Sequence, residues 1–190
     1  MKYLIGAVSV IVLLILGYLI FIYSGMYNIS AMVHHDKLTL WMMSTVRENS
    51  IKHNADDKIK MPDLSDTSLV KMGFVHFREM CVSCHGAPGI KQSEFAEGLY
   101  PNPRMLSKAA KEWTPQQLFW ITKNGLKMSG MPAFGLTHTD DMIWAIVAFT
   151  KTLPDMTPEE YQKLESNSES MEADENHSEL DVHHNHLHNE

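Results

Sequence analysis

Cysteine is nearly absent from this chain: two residues of 190, Cys81 and Cys84. That excludes a disulfide-stapled scaffold, which needs several pairs. It also excludes a four-cysteine zinc module, because no second pair stands anywhere else. Excess positive charge is missing too. The formal net charge is −7, so a basic nucleic-acid-binding face is not supported. The acidity is concentrated: from Asp155 to Glu190 eleven acidic side chains stand against one lysine, Lys163. No stretch shows the clean alternation of apolar and polar residues that a half-buried strand requires. The sequence therefore reads as all-α.

What is present falls into four segments. Residues 1–24 hold the uncharged run YLIGAVSVIVLLILGYLIFIY, Tyr3 to Tyr23. A helix of about 20 apolar residues spans a hydrocarbon core. Tyr18, Phe21, Tyr23 and Tyr27 cluster at its outer end as an interfacial belt would. The run is long for a cleaved signal peptide, so a retained transmembrane anchor is expected, with the rest of the chain outside the cytoplasm. Residues 25–60 form a polar stalk with a helix from about Asp36 to His53. Leu38, Trp41, Met42 and Thr45 share one side of it, to lie on the membrane or on the next domain. The stalk holds His34, His35 and His53, which no tight ligand spacing joins.

Residues 61–154 form the next unit. Pro62 breaks helix, and Ser65 or Asp66 caps a helix running to Met80, with Val70, Gly73, Phe74, Phe77 and Cys81 on one face. Residues 90–112 read mostly as loop. Thr114 followed by Pro115 starts a helix that stops at Asn124-Gly125. Residues 126–138 are a loop rich in Gly and Pro. Thr139 caps a buried helix from Asp140 to about Leu153, ended by Pro154. Asp140 and Asp141 suit its N-terminus and Lys151 its C-terminus. Loops this long are unusual in a small helical domain, so something other than side chains should fill its middle. Residues 155–190 form an acidic, histidine-rich tail. One or two helical turns over 158–166 precede a stretch, 167–190, with too little apolar surface to order.

Three chemistries compete for Cys81-Val82-Ser83-Cys84-His85. A redox dithiol usually starts a helix beside a strand, whereas this pair ends a helix. Zinc needs two further ligands. Covalent haem attachment accounts for every residue: two thiols bond the macrocycle, and the adjoining imidazole is forced over the ring to ligate iron. A thioether is the usual partner on the other face of an electron-transfer haem. Six methionines follow His85. Met142 lies on a buried helix, and Met156 and Met171 lie beyond the domain. Met131, in SGMPAFG, has Gly130 for close backbone approach and Pro132 to stiffen the loop. It is the expected ligand, with Met128 next and Met105 possible.

The segment from about Gly73 to Leu153 resembles a class I c-type cytochrome domain. Gly73, Phe77 and Cys81 match the family's Gly-x-x-x-aromatic-x-x-x-Cys pattern in the first helix. CVSCHG matches its haem motif, GMPAFG its methionine loop and DDMIWAIVAFTKTLP its last helix. KNGLKMSGMPAFG with the upstream EWTPQQLFW is similar to bacterial membrane-anchored monohaem cytochromes. The resemblance covers roughly half the chain. It implies a helical fold around one covalent haem c held by Cys81 and Cys84, with His85 and Met131 on the iron. It implies that the first and last helices cross at Gly73, beside Phe149 and Ile146. Tyr100, Pro103, Trp113 and Trp120 become pocket or propionate-side residues, or ordinary core. The implied setting is a single pass through the cell inner membrane with the haem domain in the periplasm.

The implied function is single-electron transfer without substrate chemistry. A quinol-oxidising complex or dehydrogenase would be the donor, and an oxidase or reductase the acceptor. His177, His183, His184, His186 and His188 form a second motif. Alternate histidines in an acidic segment bind copper, zinc or nickel, so a metal-handling role with the haem as redox partner is the alternative. A haem-based sensor or ligand-binding enzyme would require a labile sixth ligand.

Overall fold

The computed structural model describes residues 1–55 and 59–168, in two compact units, Met1–Lys37 and Leu38 onward. Met171 and the five tail histidines named above lie outside the described residues. The regular structure of the described residues is helical throughout, and strand pairing is limited to an isolated bridge between Ala87 and Ile90.

The first unit is helix α1 (Lys2–Tyr23) and a short polar segment. No residue of α1 is buried, and it carries apolar side chains on every side. It is long and apolar enough to cross a membrane. Beyond it, Phe21 meets Tyr27 edge-on at 6.4 Å between ring centres, and the Tyr27 hydroxyl lies 3.1 Å from His35 Nδ1.

The second unit begins with α2 (Lys37–Asn54). Leu38, Trp41 and Met42, on the side expected to lie on the membrane or on the next domain, are exposed, Trp41 by 64%, so that side does not pack on the domain. The residue buried is Ile51, nine positions after Met42 and so half a turn away on a 3.6-residue helix. Apolar spacing alone could not tell which of two sides meets protein.

Helix α3 (Thr67–Met80) starts where Asp66 accepts a hydrogen bond from the Ser68 amide at 2.8 Å. It leads into the single turn α4 (Val82–His85). The stretch expected to be loop contains two further turns, α5 (Glu94–Glu97) and α6 (Leu106–Ala109), the latter continued by a tighter turn Ala110–Glu112. Four-residue helices are too short to show a periodicity, which is why pattern reading missed them. Helix α7 (Pro115–Asn124) has Thr114 and Gln117 in a reciprocal capping box. Helix α8 (Asp140–Thr152) is capped by Thr139 and is the central element, buried at every position from Ile143 to Thr150.

Helices α3 and α8 make the most extensive contact of any pair. A Cβ on Gly73 would lie 1.9 Å from the Ala145 carbonyl oxygen and 2.9 Å from Phe149 Cβ. The crossing expected at Gly73 is there. Its closest neighbours are the Ala145 backbone and Phe149, in place of Ile146.

The packed structure continues past residue 154, where the tail was expected to begin. Residues 158–168 are helical (α9) and Tyr161 is completely buried against Phe74 and Phe149. The strongly acidic composition of this segment masks one aromatic residue that docks it. The core divides into two clusters. One joins α3, α8, Tyr161 and Cys81; the other joins Leu118 and Phe119 of α7 to Ile143, Trp144 and Val147 of α8.

Candidate functional site

The site is built at the C-terminal end of α3. The Cys81 amide donates to Phe77 O at 2.9 Å, so helix geometry carries straight into the cysteine. The amides of Cys84 and His85 then both donate to Cys81 O, at 3.2 and 2.8 Å. One turn thus places Cys84 and His85 beside Cys81. Gly86 closes it at φ 63°, in the left-handed region that favours glycine.

A loop is laced over this turn. Gln92 donates its side-chain amide to Cys84 O at 2.6 Å and to Pro103 O at 2.7 Å. The Ser93 hydroxyl and amide both donate to Ser83 O, at 2.8 and 2.9 Å. His85 Nδ1 lies 2.7 Å from Arg104 O. A carbonyl can only accept, so Nδ1 carries the proton and the lone pair of Nε2 is left for a metal. Burial holds the imidazole below its usual range, against the opposing pull of the Arg104 carbonyl, which favours the neutral, ligating form. Arg104 itself forms a two-pronged pair with Glu112.

The two thiols are free, Cys81 buried and Cys84 half-buried. Burial, then the neighbouring Cys84, pushes the Cys81 thiol up to about 12. A redox dithiol needs the opposite, a thiol acidic enough to ionise near neutrality. Among the described residues no group of three or more His, Cys, Asp or Glu could hold a metal ion. Neither the cysteine pair nor the stalk histidines therefore gain the partners a zinc site requires.

The methionines separate clearly. Met128 has φ 59° and is 74% exposed. Met105 packs on the cysteine turn: its terminal methyl lies 3.4 Å from where a Cβ on Gly86 would stand. It is therefore on the same side as the backbone that carries His85. Met156 packs against the core, and Met142 is half-buried in the first turn of α8. Met131 is half-buried, in a loop closed on itself. The Leu126 amide donates to Met131 O at 3.2 Å, the Ser129 hydroxyl donates to Leu126 O at 2.7 Å, and the Met131 amide donates to Ser129 Oγ at 3.2 Å. Gly130 lies so close to Leu99, just past α5, that a Cβ would come within 2.9 Å of it. The methionine loop thereby abuts the loop that covers the cysteine turn.

Of the other pocket candidates, Trp113 packs on the α7–α8 cluster, and Trp120 and Tyr100 are half-buried. Pro103 contributes its carbonyl to the Gln92 clamp. Gln92, Leu99 and Glu112 were not visible as site residues, because their roles depend on where a loop without periodicity folds back.

The donor set fits a haem: two adjacent free thiols, a neutral imidazole with Nε2 bare, and a half-buried thioether in a loop that meets the cysteine-side loop. Residues 68–149 match the family described as cytochrome C oxidase, cbb3-type, subunit III. No curated protein and no solved structure matches the chain.

Proposed function

We propose that residues 68–149, which match the cbb3-type subunit III family, form a class I c-type cytochrome domain with covalently bound haem c, and that this chain is a membrane-anchored monohaem electron carrier. Cys81 and Cys84 would hold the macrocycle, and His85 and Met131 would ligate its iron. The observation that carries the reading is the hydrogen bond from His85 Nδ1 to Arg104 O. It fixes the tautomer and leaves Nε2 bare, able to ligate iron. Haem, when bound, supplies a reversible one-electron change. The protein's own residues supply rigidity. Gln92 and Ser93 tie the loop to the cysteine turn, and Pro132 and the Ser129 hydrogen bonds restrain Met131. Two strong ligands leave no open iron position for a substrate, which favours a carrier over an enzyme. A single cysteine pair supports a single haem.

Helix α1, long and apolar enough to cross a membrane, supports the anchor; on this reading it makes a single pass through the inner membrane, with the haem domain in the periplasm. The matching family is named for a subunit of a cbb3-type oxidase. An oxidase is accordingly the favoured acceptor, and a quinol-oxidising complex or dehydrogenase the donor.

Oxidised and reduced absorption spectra of the haem-matured chain, beside Met131→His, test this. The native ferric protein should show a sulfur-to-iron band that the variant lacks, and haem should remain on the polypeptide after denaturation. Loss of haem on denaturing the native chain would overturn the reading of the cysteines. Persistence of the sulfur band in Met131→His would move the ligand to another methionine.

A further inference from the structure

Helix α2 carries apolar side chains on two opposite sides. Ile51 is buried in the second unit, while Leu38, Trp41, Met42 and Val46 are exposed. Spacings of three and four residues set those four side by side on the first half of the helix. Single exposed apolar residues need no explanation, but a contiguous group that includes a tryptophan marks a surface that meets something apolar. Cations flank it. Lys37 precedes the group and Lys52 follows it on the same side, and across α2 the only carboxylate is Glu48.

The place of this face in the chain points to its partner. Thirteen residues, Ser24 to Asp36, join α1 to α2. Fully extended they would reach roughly 45 Å, but they are folded back. Tyr27 meets Phe21 of α1 edge-on, and its hydroxyl lies 3.1 Å from His35 Nδ1, two residues before α2. The start of α2 is thereby held near the end of α1, where a spanning helix leaves the hydrocarbon. Four side chains are too few for a second copy of the chain, since a stable interface buries about 800 Å² on each partner.

We propose that the first half of α2 lies on the membrane surface, with Leu38, Trp41, Met42 and Val46 in the lipid and Lys37 and Lys52 at the phosphates. This rests on α1 as the anchor. Helices that lie in the interface present one apolar face, and tryptophan sits well at headgroup depth. The other side of α2 is fixed to the unit that carries the cysteine turn through Ile51. Hydrogen bonds from Glu112 raise the Arg104 guanidinium, and Glu48 of α2 adds to that pull. Helix α2 therefore runs past the loop whose carbonyl orients His85. Laid on lipid, it would keep that loop near the membrane, within reach of a redox partner embedded there.

The test uses the full haem-matured chain, one copy per lipid nanodisc, beside Trp41→Phe. The difference in tryptophan emission between the two is the Trp41 signal. In discs of acyl-brominated phosphatidylcholine and phosphatidylglycerol that signal should be largely lost relative to unbrominated discs, and aqueous iodide should leave it nearly unchanged. Leu38→Asp combined with Met42→Asp should restore iodide quenching of Trp41 at an unchanged melting temperature, because both side chains are exposed. Strong iodide quenching in the native chain would overturn the proposal by placing the face in water. Shielding from bromine and iodide alike would overturn it by placing protein there. A chain that does not elute with the discs would overturn the anchor, and this proposal with it.

Discussion

At the residue scale, two side chains carry information that their identities do not announce. Tyr161 is the first. It is fully buried, and its hydroxyl has no hydrogen-bonding partner among the described residues. Burial, then the nearby Glu165, pushes the phenol up to about 12, so it stays neutral. An unpaired buried hydroxyl costs stability while its ring contributes packing. Tyr161→Phe should therefore be neutral or stabilising, within about 1 kcal/mol. Tyr161→Ala should cost about 3 kcal/mol by leaving a cavity among Phe74, Phe149 and the helices. Denaturant midpoints of the two variants check both.

Asp66 is the second. The Ser68 hydroxyl, then the Ser68 amide, hold its carboxyl below the usual carboxylate range. A depressed carboxylate stabilises the fold above its unfolded pKa, near 4, and that contribution is lost as pH falls through the folded value. Asp66→Asn keeps a capping oxygen but cannot titrate. Its melting midpoint should fall less than the native one between pH 6 and pH 3.

At the element scale, the crossing of α3 and α8 is the joint on which the haem site rests. Gly73 lets a backbone carbonyl of α8 come where a methyl group would otherwise be. Gly73→Ala cannot be relieved by turning a flexible side chain, because the atoms it meets are backbone. The helices must separate, at a cost of about 3 kcal/mol, the upper end of ordinary overpacking. As Cys81 ends α3, the strain should also lower the yield of chain that acquires covalent haem. Melting temperature and haem-to-protein ratio measure the two effects. The caps of α3, α7 and α8 were readable because they rest on residues adjacent in sequence. The turns α5 and α6 were not, because tertiary contacts such as Leu99 against Gly130 hold them.

At the scale of the whole molecule, the folded unit that carries the cysteine turn is longer than its family match. Residues 156–168 return to the core through Tyr161. Pro158 packs on Gly89 behind the cysteine turn, and Arg78 donates to Ser168 at 2.6 Å. A chain ended after residue 168 should keep the native melting temperature and spectrum. A chain ended after 154 should melt well below it, because the face covered by Tyr161 is then left to water. Comparing the two by haem absorbance on heating locates the true end of the domain.

Sequence by itself determined the all-helical class, the cysteine turn, the expected haem and the membrane-length helix. Each rests on a local rule: a thiol spacing, a cap or an apolar length. Only the tertiary structure decided which side of α2 is buried, that the carbonyl of Arg104 orients His85, and that Met128 faces solvent while Met131 is half-buried. Only it showed that a segment rich in acidic residues is tied to the core by one tyrosine. These depend on atoms brought together from distant positions, and no spacing in the chain records which side of a helix or loop will meet them.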